Sequence, residues 1–188
     1  MSLFRSGDIN APRPPFYATQ PNPQFGHIRQ IASDGRQSTN GLEFAFGGNL
    51  TQYFSGTALY AYSQTYNNTS GIYWFPANSY DLAPERGRAS FDQRHRAAFL
   101  GSIDAGKGFH SRLGLDVRSG APVDETTWQD ENRDGLANNR LPGVRRDTLR
   151  GSGYVSLHLH LARDFFLSKR KEEGPLVSLA LGGFYGSM

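Results

Sequence analysis

The segment Tyr154-Val155-Ser156-Leu157-His158-Leu159-His160-Leu161 alternates without a break, with aliphatic residues at the odd positions and polar ones at 156, 158 and 160. A period of two belongs to a β-strand with one apolar and one polar surface, not to a helix. Taking four aliphatic side chains out of water is worth roughly 6–12 kcal/mol as an upper bound. A slip of one residue forfeits that gain and turns two imidazoles toward the apolar phase, so the register is firmly set.

Phe109 to Arg118 repeats the pattern. Phe109, Leu113, Leu115 and Val117 share one side, and His110, Arg112, Asp116 and Arg118 the other. The pattern predicts seven strands, at about 25–33, 38–48, 53–66, 93–103, 109–118, 153–166 and 176–186. Residues 1–24 are expected to be an extended segment, since Pro12, Pro14, Pro15, Pro21 and Pro23 remove amide donors. The rest, 25–188, is expected to form the sheet domain. Turns are expected at Asp34-Gly35, near Asn49-Leu50, and at Asp104-Ala105-Gly106-Lys107-Gly108.

Connection lengths carry the next step. The links 67–92 and 119–152 are long and polar, whereas 104–108 and 168–175 are short. Long structureless loops are uncommon in compact soluble domains. Alternation of long loops and short turns is the habit of outer-membrane barrels. Composition agrees: 13% aromatic residues and 22 glycines accompany a hydrophobic content of only 37% and a mean hydropathy of -0.55. No run approaches the ~18 apolar residues of a membrane-spanning helix. Met1 to Asp8 lacks the apolar core of a secretory signal, so an exported protein containing this chain is expected to be longer. A net charge of +3 without a basic stripe argues against nucleic acid as a partner. The absence of cysteine excludes disulfides and thiolate metal sites.

Several short segments, in order, resemble the C-terminal barrel of Oar-like TonB-dependent receptors. They are Asn40-Gly41-Leu42-Glu43 with Leu59-Tyr60-Ala61-Tyr62-Ser63, then Phe91-Asp92-Gln93-Arg94-His95-Arg96, then Arg118-Ser119-Gly120-Ala121-Pro122. Asp130-Glu131-Asn132-Arg133-Asp134-Gly135, Asn138-Asn139-Arg140-Leu141-Pro142 and Gly151-Ser152-Gly153-Tyr154 complete the succession. The resemblance implies an all-β antiparallel meander, a partial transmembrane β-barrel of about seven strands with two long loops. It further implies a place in the outer membrane of a Gram-negative bacterium and uptake of a ligand energised through TonB. The partners would be outer-membrane lipid, a plug and the missing strands, and the TonB complex. A small complete barrel or porin-like protein is the first alternative, and a soluble all-β binding module the second.

On the barrel reading, Arg112, Asp116, Arg118, His158 and His160 line the lumen. Tyr60 and Tyr62 form part of an aromatic girdle, and Tyr73 and Trp74 stand on a long loop within reach of a ligand. Asp130, Asn132 and Asp134 with Gly135 match the first half of a Ca²⁺ loop. Position twelve is Leu141 where such loops carry glutamate, so the loop reads first as a polar turn. His158 and His160, with His95 and His110, make a metal cluster conceivable, and lumen lining the simpler reading. With no nucleophile elbow or nucleotide fingerprint, the chain is expected not to be an enzyme.

Overall fold

The computed structural model describes residues 1–166 and 176–187. Its strands are β1 (Ser2–Asp8), β2 (Arg29–Asn49), β3 (Phe54–Asn67), β4 (Gly87–Arg88), β5 (His95–Gly106) and β6 (Phe109–Arg118). They continue with β7 (Pro122–Val123), β8 (Leu149–Arg150), β9 (Tyr154–Phe166) and β10 (Leu176–Ser187). A single 3₁₀ turn, Ala83–Glu85, is the only helical element among the described residues. The main sheet runs β1-β2-β3-β5-β6-β9-β10, with β4 joined to the end of β3, and β7 pairs β8 separately. The sheet is an antiparallel meander.

Two expected strands are one. β2 runs straight through Asp34-Gly35, where a turn was expected. Leu3 lies opposite Gly35, beside a register shift in β1. A Cβ at Gly35 would sit 2.7 Å from the Leu3 carbonyl oxygen. The glycine therefore permits a close approach of two strands, and Asp34 holds Arg5 at 2.6 Å. Ser2–Asp8, expected to be plain extended chain, is the strand that makes that approach.

With β2 continuous, long and short connections alternate. Segments 9–28, 68–94 and 119–153 are long and leave one end of the strands, while 50–53 and 107–108 are short and close the other. The expected short link 168–175 lies outside the described residues. In the tightest turn, Lys107 and Gly108 both have positive φ, 51° and 77°. That is the twist-matched two-residue hairpin. A Cβ on Gly108 would also meet the Asp164 carbonyl oxygen at 2.4 Å.

By packing, the chain groups into two units. One, the sheet unit, comprises residues 41–62, 93–120 and 152–188; the other, the loop unit, comprises 1–40, 63–92 and 121–151. In the loop unit the buried side chains are mostly polar or charged, among them Asp8, Asn10, Glu85, Asp92, Asn132, Asp134, Arg146 and Asp147. Among the described residues, the buried apolar side chains are only three alanines, Ala11, Ala77 and Ala89. The sheet unit does the reverse. Its aliphatic and aromatic residues stand in the open, with Leu181 73% exposed.

Candidate membrane-facing wall and loop unit

Strand register sorts the sheet unit into two faces. Leu113 lies opposite Leu159, Leu115 opposite Leu157, and Val117 opposite Val155. Leu181 lies opposite Leu161, and Phe99 opposite both Leu115 and Ala58. These residues share one apolar face, continued by Phe54 and Ile103. Nothing among the described residues covers it: Leu157, Leu159, Leu161 and Leu179 are all exposed. A soluble domain exposing a patch this large would associate. Within the sheet unit the strands run nine to thirteen residues, from 41–49 and 54–62 to the full length of β9. A tilted strand needs about 9–11 residues to cross a bilayer.

The rims of this face carry amphipathic side chains. At the long-loop end, the Tyr60 hydroxyl is 2.9 Å from Nδ1 of His95, and the rings of Tyr62 and His95 lie 5.2 Å apart. At the short-turn end, the Arg163 guanidinium lies 4.5 Å from the Phe109 ring centre and 4.9 Å from that of Phe165. Val155 to Arg163 spans about 26 Å along the strand at ~3.3 Å per residue. An apolar band about 25 Å tall, edged by aromatic girdles, is what a wall in a bilayer requires.

Arg112, Asp116, Arg118, His158 and His160 share the opposite face. Arg112 lies directly across from His160, Asp116 from Ser156, and Gly114 from His158. Asp116 accepts two hydrogen bonds from Arg118, at 2.9 and 2.6 Å. The His158 ring stacks on Phe184, and its Nε2 is 2.9 Å from the Ser156 hydroxyl. Ser55 and Ser102 exchange a hydrogen bond of 2.7 Å on the same face. Small residues here leave a trough of about 790 Å³ lined by Thr57, Ser102, Arg112, His158 and His160 among others. The four histidines are not gathered. His95 belongs to the apolar face, and His110 stands at the short-turn end beside Asp104 and Asp164, at 3.7 and 3.3 Å. Among the described residues, no three His, Asp or Glu side chains are grouped so as to hold a metal.

The loop unit is held by charge. Arg140 donates to Asp124 through two nitrogens, at 2.8 and 2.6 Å, and to Glu85 Oε1 at 2.7 Å. Burial works to lower the Arg140 pKa, but the bonds and charges of Asp124 and Glu85 outweigh it and leave the pKa raised. Arg146 donates to Ser70 at 3.0 Å, to the Glu85 carbonyl at 3.3 Å, and to Asn67. Glu85 also accepts the Ala77 amide at 2.9 Å. Segments 67–92 and 121–151 are thus stapled together through one buried glutamate. Gly87 must be glycine, because a Cβ there would overlap the Arg146 carbonyl oxygen at 2.1 Å.

Further anchors were not visible in the sequence. Asn10 closes the segment 9–28 on itself, donating to the carbonyls of Asn22, Phe25 and Gly26 and accepting the Asn22 amide. Asp8 accepts from the amides of Asn10 and Ile28 and lies 2.8 Å from His27 Nδ1. Asp92 accepts the Thr65 amide at 2.8 Å and the Arg88 guanidinium at 2.9 Å. Tyr73 and Trp74 are fixed by their backbones, since Arg29 donates to the Tyr73 carbonyl and Ser6 to that of Trp74. Their side chains nevertheless project, 77% and 70% exposed.

Asp130, Asn132 and Asp134 are joined by hydrogen bonds within one loop. Both Asp130 oxygens accept backbone amides, of Asp134 and Gly135 at 2.9 Å. Asp134 accepts from Leu136 and from the Asn132 amide, which also donates to Ala77. These bonds account for the shape of the loop. Burial pushes the Asp134 carboxyl above its ordinary range, against the opposing bonds from Leu136 and Asn132.

Asp147 is raised for the same first reason, burial, which outweighs the attraction of Arg146. A carboxyl raised by folding stabilises the folded state most below its unfolded pKa of 3.8, and that contribution is lost as pH rises through the folded value. Asp147 also has a φ of 58°, a conformation asparagine tolerates as well as aspartate. Asp147→Asn is therefore expected to slow amide exchange in 121–151 at neutral pH relative to the wild type. It should also flatten the decline in protection between acid and neutral pH. Faster exchange in the variant would contradict the assignment.

The geometry is that of a sheet with hydrocarbon on one side and water on the other. No curated protein matches the chain. A family model described as an outer membrane beta barrel domain matches residues 1–120, which take in the first strands and the turn at 107–108. The chain therefore belongs to the outer membrane beta barrel domain family, and its place is the cell outer membrane.

Proposed function

We propose that the chain is part of the barrel wall of a TonB-dependent receptor of the Oar-like kind, which takes up a ligand across the outer membrane. The supporting observation is the state of the sheet edges. β1 pairs only with residues 29–36 of β2, so the edge of β2 at 41–49 has no partner on that side among the described residues. Among the described residues the outer edge of β10 is equally open. Six strands of bilayer-crossing length remain among the described residues, fewer than the eight of the smallest single-chain barrels. Unpaired backbone in hydrocarbon costs several kcal/mol per group, so such edges call for further strands and a larger wall. The trough lined by Arg112, His158 and His160 would then face the water-filled lumen and a plug, while loops 67–92 and 119–152, with Tyr73 and Trp74, would face outward and meet the ligand.

The test is native mass. Outer membranes solubilised in mild detergent are resolved unheated and heated, and probed with an antibody to residues 119–150. A heat-modifiable species several times larger than 20.8 kDa supports the receptor. A heat-modifiable species of the chain's own mass sinks it in favour of a small complete barrel.

A further inference from the structure

The apolar face carries one notch and, at its edge, one charge. Ser111 lies between Ile103 on β5 and Leu161 on β9, three neighbours on the same face. Its small side chain leaves a groove of about 490 Å³, walled by Ile103, Phe109, Leu161, Leu179 and Leu181. Arg163 closes the groove at the short-turn end, flanked by the rings of Phe109 and Phe165. Among the described residues no carboxylate pairs with Arg163. Its neighbour Asp164 faces the other way and meets His110 at 3.3 Å.

An arginine on a hydrocarbon-facing surface costs about 2–4 kcal/mol at mid-bilayer and about 0–1 near the interface. Its rim position keeps that cost small, and the flanking rings hold the guanidinium by cation–π attraction instead of letting it extend freely into water. A planar, permanently charged fork fixed at headgroup depth is suited to a phosphodiester. The turn residue Lys107 adds a second cation two positions from Phe109.

We propose that this groove and Arg163 form a binding site for one glycerophospholipid of the leaflet at the short-turn end. An acyl chain fills the notch over Ser111, and the phosphodiester pairs with the Arg163 guanidinium. The site stands on the membrane-facing wall alone and is independent of any coupling to TonB. Charge complementarity selects the headgroup and the groove selects the chain.

The experiment is native mass spectrometry of the whole protein released from outer membranes in mild detergent, with phosphatidylglycerol or diacylglycerol of the same acyl chains added. Phosphatidylglycerol is expected to be retained about fivefold more than diacylglycerol, from about 1 kcal/mol per basic residue at a lipid surface. Arg163→Ala should lose that preference, while Arg163→Lys, which keeps the charge but not the planar fork, should retain only part of it. Ser111→Leu, which fills the notch and keeps the arginine, should lower retention of both lipids. Heat-modifiable mobility of each variant shows that the wall is intact. Equal retention of the two lipids by the wild type would overturn the proposal. So would phosphatidylglycerol retention unchanged in both Arg163→Ala and Ser111→Leu.

Discussion

Leu159→Arg should abolish or severely weaken the heat-modifiable form of the protein, whereas His158→Arg, one residue away, should leave it nearly intact. Leu159 stands mid-strand on the apolar face, with Leu113 across from it on one side and Gly183 on the other. A guanidinium there is far from either rim and costs about 2–4 kcal/mol at mid-bilayer depth. His158 points to the face that holds Arg112 and Asp116, where one more cation meets water and a nearby carboxylate. Unfolding by urea in lipid vesicles measures both. Equal destabilisation by the two variants would mean the faces are assigned wrongly.

Glu85→Ala is expected to cost the loop unit about 3–5 kcal/mol, the usual penalty for leaving a buried charge without its partner. Two arginines depend on this carboxylate, Arg140 at 2.7 Å and Arg146 at 3.8 Å, and each side chain is less than a tenth exposed. Asp124 still holds Arg140, but Arg146 keeps only Asp147 as an anion, at 3.2 Å. The Ala77 amide loses its acceptor as well. Hydrogen exchange should rise across 67–92 and 121–151 and stay unchanged in β6 and β9. A uniform rise through every strand would instead indicate that Glu85 supports the whole fold, and no rise would show that the network is decorative.

How far the sequence could be read follows from which forces leave a periodic trace. β6 and β9 were legible because each lies between two phases, and a period of two is the direct record of that. The order of β3, β5, β6, β9 and β10 followed from the same pattern. β1 was hidden, because Ser2–Asp8 contains no alternation and pairs with the polar half of β2. Asp34-Gly35 misled, since a glycine that admits a neighbouring strand carries the same letters as one that turns the chain. The loop unit was hardly legible at all. Glu85 and Arg140 are 55 residues apart, and Arg146 and Asn67 are 79 apart. Pairing of single charges over such distances has no period and no local motif. Asp92 is a middle case: its short motif stands out in the sequence, but its task of tying the strand entrance to Thr65 and Arg88 shows only in the folded structure.

The most direct test of the account is a cysteine scan through 155–161, made practical by the absence of any native cysteine. Each single-cysteine variant is labelled in intact outer membranes with a charged maleimide and, separately, with a hydrocarbon-dissolved quencher acting on a fluorophore at the same site. Positions 158 and 160 should react with the aqueous reagent, whereas 155, 157, 159 and 161 should respond to the quencher; Ser156 is buried and gives no aqueous control. Aqueous labelling at Leu157, Leu159 and Leu161 as strong as at His158 and His160 would contradict it.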